Sequence, residues 1–242
     1  GILINKVSSL RPTSHEKDHI RKIRSQFPVL NQEVNGKPLI YFDNAASSQT
    51  AKSVIDALVQ FYEKDHANIH RGIHTLAERS TKAFEGTRER LHQFINSAEA
   101  DEVIFTSGAT ESDNLAIKGI ARARKHQGNH IITTNVEHPA VLASCKQLED
   151  EGFKTTLLEV TKDGIDPDEL EKAITPKTIL VSIMHVNNET GQIFPINKLA
   201  EIVKIKCQRS NVNCPLFHSD GVQALGKLPI DLANIDLYSL SG

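Results

Sequence analysis

Residues 102–117 read EVIFTSGATESDNLAI, in which a short apolar run is followed by a turn of small residues and the beginning of a helix. In such a turn, Gly108 and Ala109 allow backbone N–H groups to approach a bound anion, and Thr110 adds a hydroxyl. The N-terminus of the helix supplies partial positive charge. A plain capping turn, in which Ser107 or Thr110 satisfies the first helical N–H groups, explains the same residues equally well. This segment alone therefore leaves phosphate binding and simple capping open.

The alternation of strand and helix continues to the end of the chain. We predict strands at residues 102–105, 130–134, 155–160, 179–184, 216–219 and 237–240, with helical patterns between them. This alternation is typical of a mostly parallel sheet covered on both faces, so we predict an α/β fold with three α/β/α layers. Helices predicted at 15–26, 51–64 and 75–96 come first. We expect an N-terminal arm at residues 1–38 and one large, incomplete domain at residues 39–242.

Composition and charge exclude several function classes. The 28 basic residues nearly balance the 30 acidic ones, so no basic field for nucleic acid or anionic lipid is expected. No apolar run approaches the roughly 20 residues that span a bilayer. Three cysteines without metal-binding or disulfide spacing are typical of a reducing compartment. We therefore expect a cytoplasmic protein with a small-molecule substrate and no nucleic-acid or membrane partner.

One apparent metal motif is rejected. Residues 15–19 read HEKDH and satisfy the HExxH pattern of zinc proteases. They lie in a charged arm with no evident third ligand, so we predict no metal site.

Parallel sheets bind ligands beyond the carboxyl ends of their strands, and polar residues follow the predicted strands at these positions. His138 could stack on a planar cofactor or move a proton. Asn187 and Asn188 could hold a carboxylate or a ring hydroxyl. Asp220 could keep a pyridinium nitrogen protonated while Gln223 reaches the neighbouring ring oxygen. Each position has an ordinary explanation as a satisfied polar residue, a turn or a helix cap, but together they supply the different needs of one cofactor.

Six segments make the chain resemble the class V aminotransferases among the fold-type-I pyridoxal-phosphate enzymes, and within them the cysteine desulfurases. The segments are YFDNAA at 41–46, HRGIH at 70–74, SGATESDNL at 107–115, EHP at 137–139, HVNNETG at 185–191 and SDGVQALGKLPID at 219–231. The resemblance covers nearly the whole chain from about Phe27.

The resemblance implies that the cofactor is pyridoxal 5′-phosphate. Ala109, Thr110 and Ser241 would hold its phosphate, Asp220 would pair with the ring nitrogen, and Gln223 would contact the ring oxygen. These roles come from matching positions in the family's motifs.

The resemblance also implies residues that act on the substrate. His138 would stack on the cofactor ring and take part in catalysis. Asn188 would touch the cofactor or the substrate, and Ala46 and His74 would contribute to substrate binding.

The implied activity is removal of sulfur from L-cysteine, which leaves L-alanine and an enzyme persulfide for iron–sulfur cluster assembly or other sulfur delivery. L-selenocysteine, which carries selenium in place of that sulfur, stays open as a substrate. The implied partners are a sulfur-acceptor protein and a second copy in a homodimer. The lysine that holds the cofactor, the nucleophilic cysteine and the substrate-clamping arginine would all lie beyond Gly242, so we expect the chain alone to be incomplete and inactive. Another class V enzyme (a selenocysteine lyase, an aminotransferase or a kynureninase-like enzyme) and a non-catalytic truncated relic remain as alternatives.

Overall fold

The computed structural model describes residues 14–97, 99–210 and 213–242. The chain divides into two compact units between Glu85 and Gly86. Across the described ranges, none of the helices combines the length and apolar character that crossing a bilayer requires. The predicted division into an arm at 1–38 and a domain at 39–242 remains a prediction.

The first unit contains helices and one small hairpin. Its elements are α1 (Ser14–Ser25), a 3-10 turn (Pro28–Leu30), β1 (Glu33–Val34), β2 (Lys37–Pro38), α2 (Lys52–Gln60), a π-helical turn (Phe61–Asp65) and the first half of α3 (Thr75–Ile95). β1 and β2 pair around Asn35 and Gly36, whose φ angles are +54° and +70°. Two successive left-handed residues make a type I′ turn, which Asn-Gly suits best. The three helices predicted for this region are confirmed.

The second unit is built around a five-stranded parallel sheet. After a 3-10 turn (Ala100–Glu102), its elements are α4 (Ala109–Ala123), β3 (His130–Thr134), α5 (Pro139–Asp150), β4 (Lys154–Leu158), β5 (Val160–Thr161), β6 (Gly164–Ile165), α6 (Pro167–Ala173), β7 (Thr178–Ser182), α7 (Ile196–Ser210), β8 (Leu216–Asp220) and β9 (Leu237–Ser239). The sheet order is β4-β3-β7-β8-β9, and all neighbours are parallel. β5 and β6 form a separate hairpin.

Helices cover both faces of this sheet. Ile131 and Leu180 belong to an apolar cluster with residues of α4 and α5. Their chain neighbours Ile132 and Val181 belong to a second cluster with residues of α6 and α7. Because consecutive strand residues point to opposite faces, the two clusters lie on opposite sides of the sheet. The predicted three-layer α/β/α fold is confirmed.

The strand predicted at residues 102–105 is wrong. No strand of the described residues pairs with the segment that follows the 3-10 turn. Instead, the carbonyl oxygen of Val103 accepts a hydrogen bond from the Arg88 guanidinium, which also lies 5.2 Å from the centre of the Phe105 ring. A strand needs a neighbouring backbone for its polar groups, and at the Val103 carbonyl an arginine side chain takes that place. The apolar run predicted an extended segment but not its partner.

Candidate functional site

The carboxyl ends of four adjacent strands, β3, β7, β8 and β9, form one edge of the sheet. The first turn of α4 lies at the same edge. Near the beginning of α4, Asp113 Oδ1 is 3.7 Å from Nε2 of His218, which lies close to the end of β8. Just past the C-terminal end of α4, Arg124 donates a 3.1 Å hydrogen bond to the carbonyl of Cys214, which precedes β8. Since the chain passes from β3 to β4 on one side and then crosses to β7 on the other side of β3, this edge contains a topological switch point, where open parallel sheets bind ligands.

The turn before α4 presents backbone donors to open space. Within the described part of the chain, no side-chain hydrogen bond caps this helix at Gly108, and a Cβ at Gly108 would meet nothing within 4 Å. Glu111 Oε2 accepts a 2.6 Å hydrogen bond from the N–H of Ser107, which stabilises the turn. The N–H groups of the first helical turn, which includes Ala109 and Thr110, have no acceptor within the helix. This arrangement can bind an anion.

His138 caps the N-terminus of α5. Its Nδ1 accepts a 3.1 Å hydrogen bond from the N–H of Ala140, and Pro139 occupies the first helical position. A neutral ring that accepts at Nδ1 carries its proton on Nε2. The half-buried ring is therefore held at one nitrogen and can meet a ligand with its face or with Nε2. Capping and ligand contact are compatible roles for this side chain.

The two asparagines after β7 have different environments. Asn187 is buried, and its Nδ2 donates to the carbonyl of Val136 at 3.0 Å. Its Oδ1 accepts from the N–H groups of Glu189 and Thr190 at 3.0 and 2.8 Å. Asn188 is half-buried and makes none of these bonds. Asn187 therefore stabilises the turn, and Asn188 is the amide that can contact a ligand.

Asp220 is the last residue of β8 and is buried. Its Oδ1 accepts a 2.9 Å hydrogen bond from the N–H of Val222. Burial raises the pKa of Asp220, against the lowering effects of this bond and of charge on His138. A Cβ at Gly221 would lie 2.0 Å from the ring of Tyr238, so any larger residue after Asp220 would force that ring to move. The backbone turn thus fixes a carboxyl group at the strand end.

The remaining predicted site residues are less enclosed. Gln223 is half-buried, and its Oε1 accepts a 2.7 Å hydrogen bond from Lys227 Nζ. Ser241 is exposed, two residues beyond β9. Ala46 and His74 are exposed residues of the first unit, and their roles at the site stay predictions.

Two buried carboxyl groups near this edge were missed by the sequence analysis. Oε1 of Glu137 accepts hydrogen bonds from Thr134 Oγ1 at 2.8 Å and from the N–H of Met184 at 3.0 Å. Burial nevertheless raises the pKa of Glu137 to about 8. Burial also raises the pKa of Asp113 to about 7, and the charge of Asp220 adds to that effect.

Helical spacing is a signal that could have identified Asp113. It lies three and four residues before Ala116 and Ile117, which are both buried on α4. Residues at this spacing share one helix face, so the pattern alone places Asp113 on the buried face.

Comparison with known proteins gives a consistent result. A model of the family described as aminotransferase class-V matches residues 40–242. Cysteine desulfurase IscS of Ehrlichia chaffeensis is 48% identical over 206 residues, which cover 84% of this chain and 48% of that protein. The mitochondrial cysteine desulfurase of Drosophila melanogaster is 40% identical over 238 residues, which cover 97% of this chain and 49% of that protein. The chain spans about half the length of the curated relatives it matches.

Solved structures share the fold. The structure named SspA in complex with cysteine has a TM-score of 0.75 at 37% identity, covering 84% of this chain and 57% of that one. The apo structure of a cysteine desulfurase from Thermococcus onnurineus NA1 has a TM-score of 0.78 at 31% identity, covering 91% and 52%.

Proposed function

We propose that this chain, which belongs to the aminotransferase class-V family, carries the cofactor-binding residues of a cysteine desulfurase. Enzymes of this family depend on pyridoxal 5′-phosphate. The proposed reaction removes sulfur from L-cysteine, leaving L-alanine and a persulfide. The observation that carries the proposal is the convergence of an open helix N-terminus and a buried carboxyl group, Asp220, at one edge of the sheet.

The first turn of α4 fits the phosphate of the cofactor. The open space at Gly108 leaves room for a bulky anion, and the outward N–H groups with the helix dipole favour negative charge. Ala109 supplies backbone contacts, and the exposed hydroxyl of Thr110 adds a donor. Ser241, beyond β9, is proposed as a further hydroxyl ligand.

The other end of the site fits the ring. The carboxylate of Asp220 would stabilise a proton on the ring nitrogen, and Gln223 would donate to the ring oxygen. When bound, the cofactor supplies an electron sink that makes the Cα–H of an attached amino acid acidic. His138 would stack on the ring and hold or transfer a proton at Nε2, because its Nδ1 is engaged by the N–H of Ala140.

The substrate assignment rests on the relatives. They are named cysteine desulfurases, and the structural neighbour SspA was solved in complex with cysteine. We propose Asn188 as a substrate or cofactor contact, with Ala46 and His74 as further substrate contacts. We also propose that the protein forms a homodimer and passes the sulfur to an acceptor protein for iron–sulfur cluster assembly.

The proposed location is the cytoplasm. Cys145, Cys207 and Cys214 are free thiols, which is typical of reducing compartments. The Drosophila melanogaster relative is named as a mitochondrial protein, so the mitochondrion is the alternative location. Cell fractionation with an antibody to this protein distinguishes the two locations.

The cofactor assignment is tested by titrating the protein, in its full natural length, with pyridoxal 5′-phosphate and following absorbance. We expect saturable binding that Asp220→Ala weakens about tenfold or more, because the ring nitrogen loses its anionic partner. Asp231→Ala is the matched control, since Asp231 Oδ1 likewise accepts from the N–H two residues on, at 3.1 Å, but is exposed. Equal binding by the two variants would refute the assignment of Asp220.

The reaction is tested by incubating the loaded protein with L-cysteine and measuring alanine and sulfide. Equal amounts of alanine and reducible sulfur support the desulfurase. Amino-group transfer to a keto acid, or strong preference for L-selenocysteine, would instead identify another activity of the same family.

A further inference from the structure

The imidazole of His218 links three strands inside the molecule. His218 is fully buried on β8. Its Nδ1 is 2.8 Å from Oγ of Ser182 on β7, and its Nε2 is 2.9 Å from Oγ of Ser239 on β9. Burial lowers the pKa of His218 to about 4, so the ring is neutral at physiological pH. A neutral ring with a partner at each nitrogen fixes β8 between its neighbours.

Asp113 adds α4 to this group. The carboxyl group is 1% exposed, and Oδ1 lies 3.7 Å from Nε2 of His218. Among the described residues, no hydrogen bond of ordinary geometry reaches either carboxyl oxygen, although the Ser239 hydroxyl lies near enough to lower the pKa of Asp113 in part. An ionised carboxylate in this position is costly, and an ion pair with His218 would require two buried charges. The protonated acid, which can donate to the Ser239–His218 pair after a small movement, is the favourable form.

Three members of this group lie close in sequence to proposed cofactor contacts. Asp113 is one helical turn after Ala109 and Thr110. His218 is two residues before Asp220, and Ser239 is two residues before Ser241. Residues two apart in a strand share a face. Displacement of α4 relative to β8 would therefore move the phosphate contacts relative to the ring-nitrogen contact.

We propose that Asp113 is a positioning residue that, in its protonated form, connects α4 to the Ser182–His218–Ser239 group and so holds the first turn of α4 at a fixed distance from Asp220. This inference rests on the proposed function in naming the two ends of the cofactor site. The buried connection itself is independent of the cofactor.

Other titratable groups face the same region and must be separated from Asp113. They are Asp220 and His218 on β8, Glu137 after β3, His138 at the start of α5, and Tyr238 on β9. Comparing Asp113→Asn with the unmodified protein cancels the contribution of these other groups to the pH dependence. The substitution replaces only one carboxyl group, by an amide of the same shape.

The first measurement is the affinity for pyridoxal 5′-phosphate at pH 6.5 in the protein of full natural length. We expect Asp113→Ala to weaken binding by about tenfold or more, because a buried hydrogen-bonding group is lost. Asp113→Asn should stay within about threefold, because an amide donates and accepts as a protonated acid does. Asp166→Ala is the control for general destabilisation, since it removes the N-cap of α6. Its affinity should be unchanged.

The second measurement is the ¹⁵N NMR signal of the His218 ring in cofactor-free protein. We expect this signal to shift between pH 6 and 8 as Asp113 ionises, and the shift to be absent in Asp113→Asn. A signal that titrates identically in both proteins overturns the proposal, and so does equal loss of cofactor affinity in Asp113→Ala and Asp113→Asn. If the unmodified protein fails to bind the cofactor while the His218 signal responds to Asp113→Asn, the proposed function fails and the buried connection stands.

Discussion

Among the described residues, the first unit buries only Ala77 and Ser80, whereas the second unit buries every other residue of the core. Both units contain amphipathic helices that the sequence predicted. On α4 the apolar residue Ile117 is fully buried, but on α2 Leu58 remains 54% exposed. The same periodicity therefore produced a covered face in one unit and an exposed face in the other. An apolar stripe specifies which side of a helix needs a partner, but not which partner covers it.

The largest expected effect comes from the core of the second unit. Phe217 is 1% exposed and packs in the cluster that contains α6 and α7. Phe217→Ala should lower the free energy of unfolding by about 3–5 kcal/mol, because it leaves a cavity. Phe42→Ala is the matched substitution in the first unit, where the side chain is 92% exposed, and it should change stability by less than about 0.5 kcal/mol. Urea unfolding followed by circular dichroism measures both, and equal losses would remove the contrast between the units.

A smaller effect is expected from the buried acid Glu137. Because burial raises the pKa of Glu137 to about 8, the folded state binds a proton that the unfolded state has released. The free energy of unfolding should therefore fall as pH rises from 6.5 to 8. Asp113 has the same sign, whereas His218, with its lowered pKa, gains stability with rising pH only between about 4 and 6.5.

Glu137→Gln should flatten this dependence, and urea unfolding at pH 6.5 and 8 measures it. The control is Glu159→Gln, which removes an exposed carboxyl group and should leave the slope unchanged. A Glu137→Gln slope as steep as that of the unmodified protein would show that Glu137 ionises normally.

The smallest effect on unfolding is expected on α2. Leu58→Ser should alter the free energy of unfolding by less than about 0.5 kcal/mol, since the side chain is largely exposed. If the exposed face of α2 binds the second copy of the proposed homodimer, the same change should reduce dimer formation in sedimentation velocity. Gln60→Ser, at another exposed position of α2, is the control. Unchanged dimerisation in both variants would place the interface elsewhere.

The positions of His138, Asn188 and Asp220 could be predicted because parallel strands place their carboxyl ends at one edge. The contact between Asp113 and His218 could not, because it depends on how α4 crosses the sheet, and the two residues lie far apart in the chain. The strand at 102–105 was predicted wrongly for a related reason. A sequence pattern reports local preference, whereas a strand, a buried carboxyl group or a covered face depends on a distant partner.

The proposed cofactor contacts of the second unit extend from Ala109 on α4 to Ser241 after β9. Parallel strands separated by crossover helices make contacts between distant segments, and closing such loops is slow. The first turn of α4 and the carboxyl group at the end of β8 lie far apart in the chain, so a folding intermediate that lacks either has no complete cofactor site. A ligand that binds only the completed sheet stabilises it by mass action. The cellular supply of that ligand then influences how long newly made chains remain susceptible to proteases.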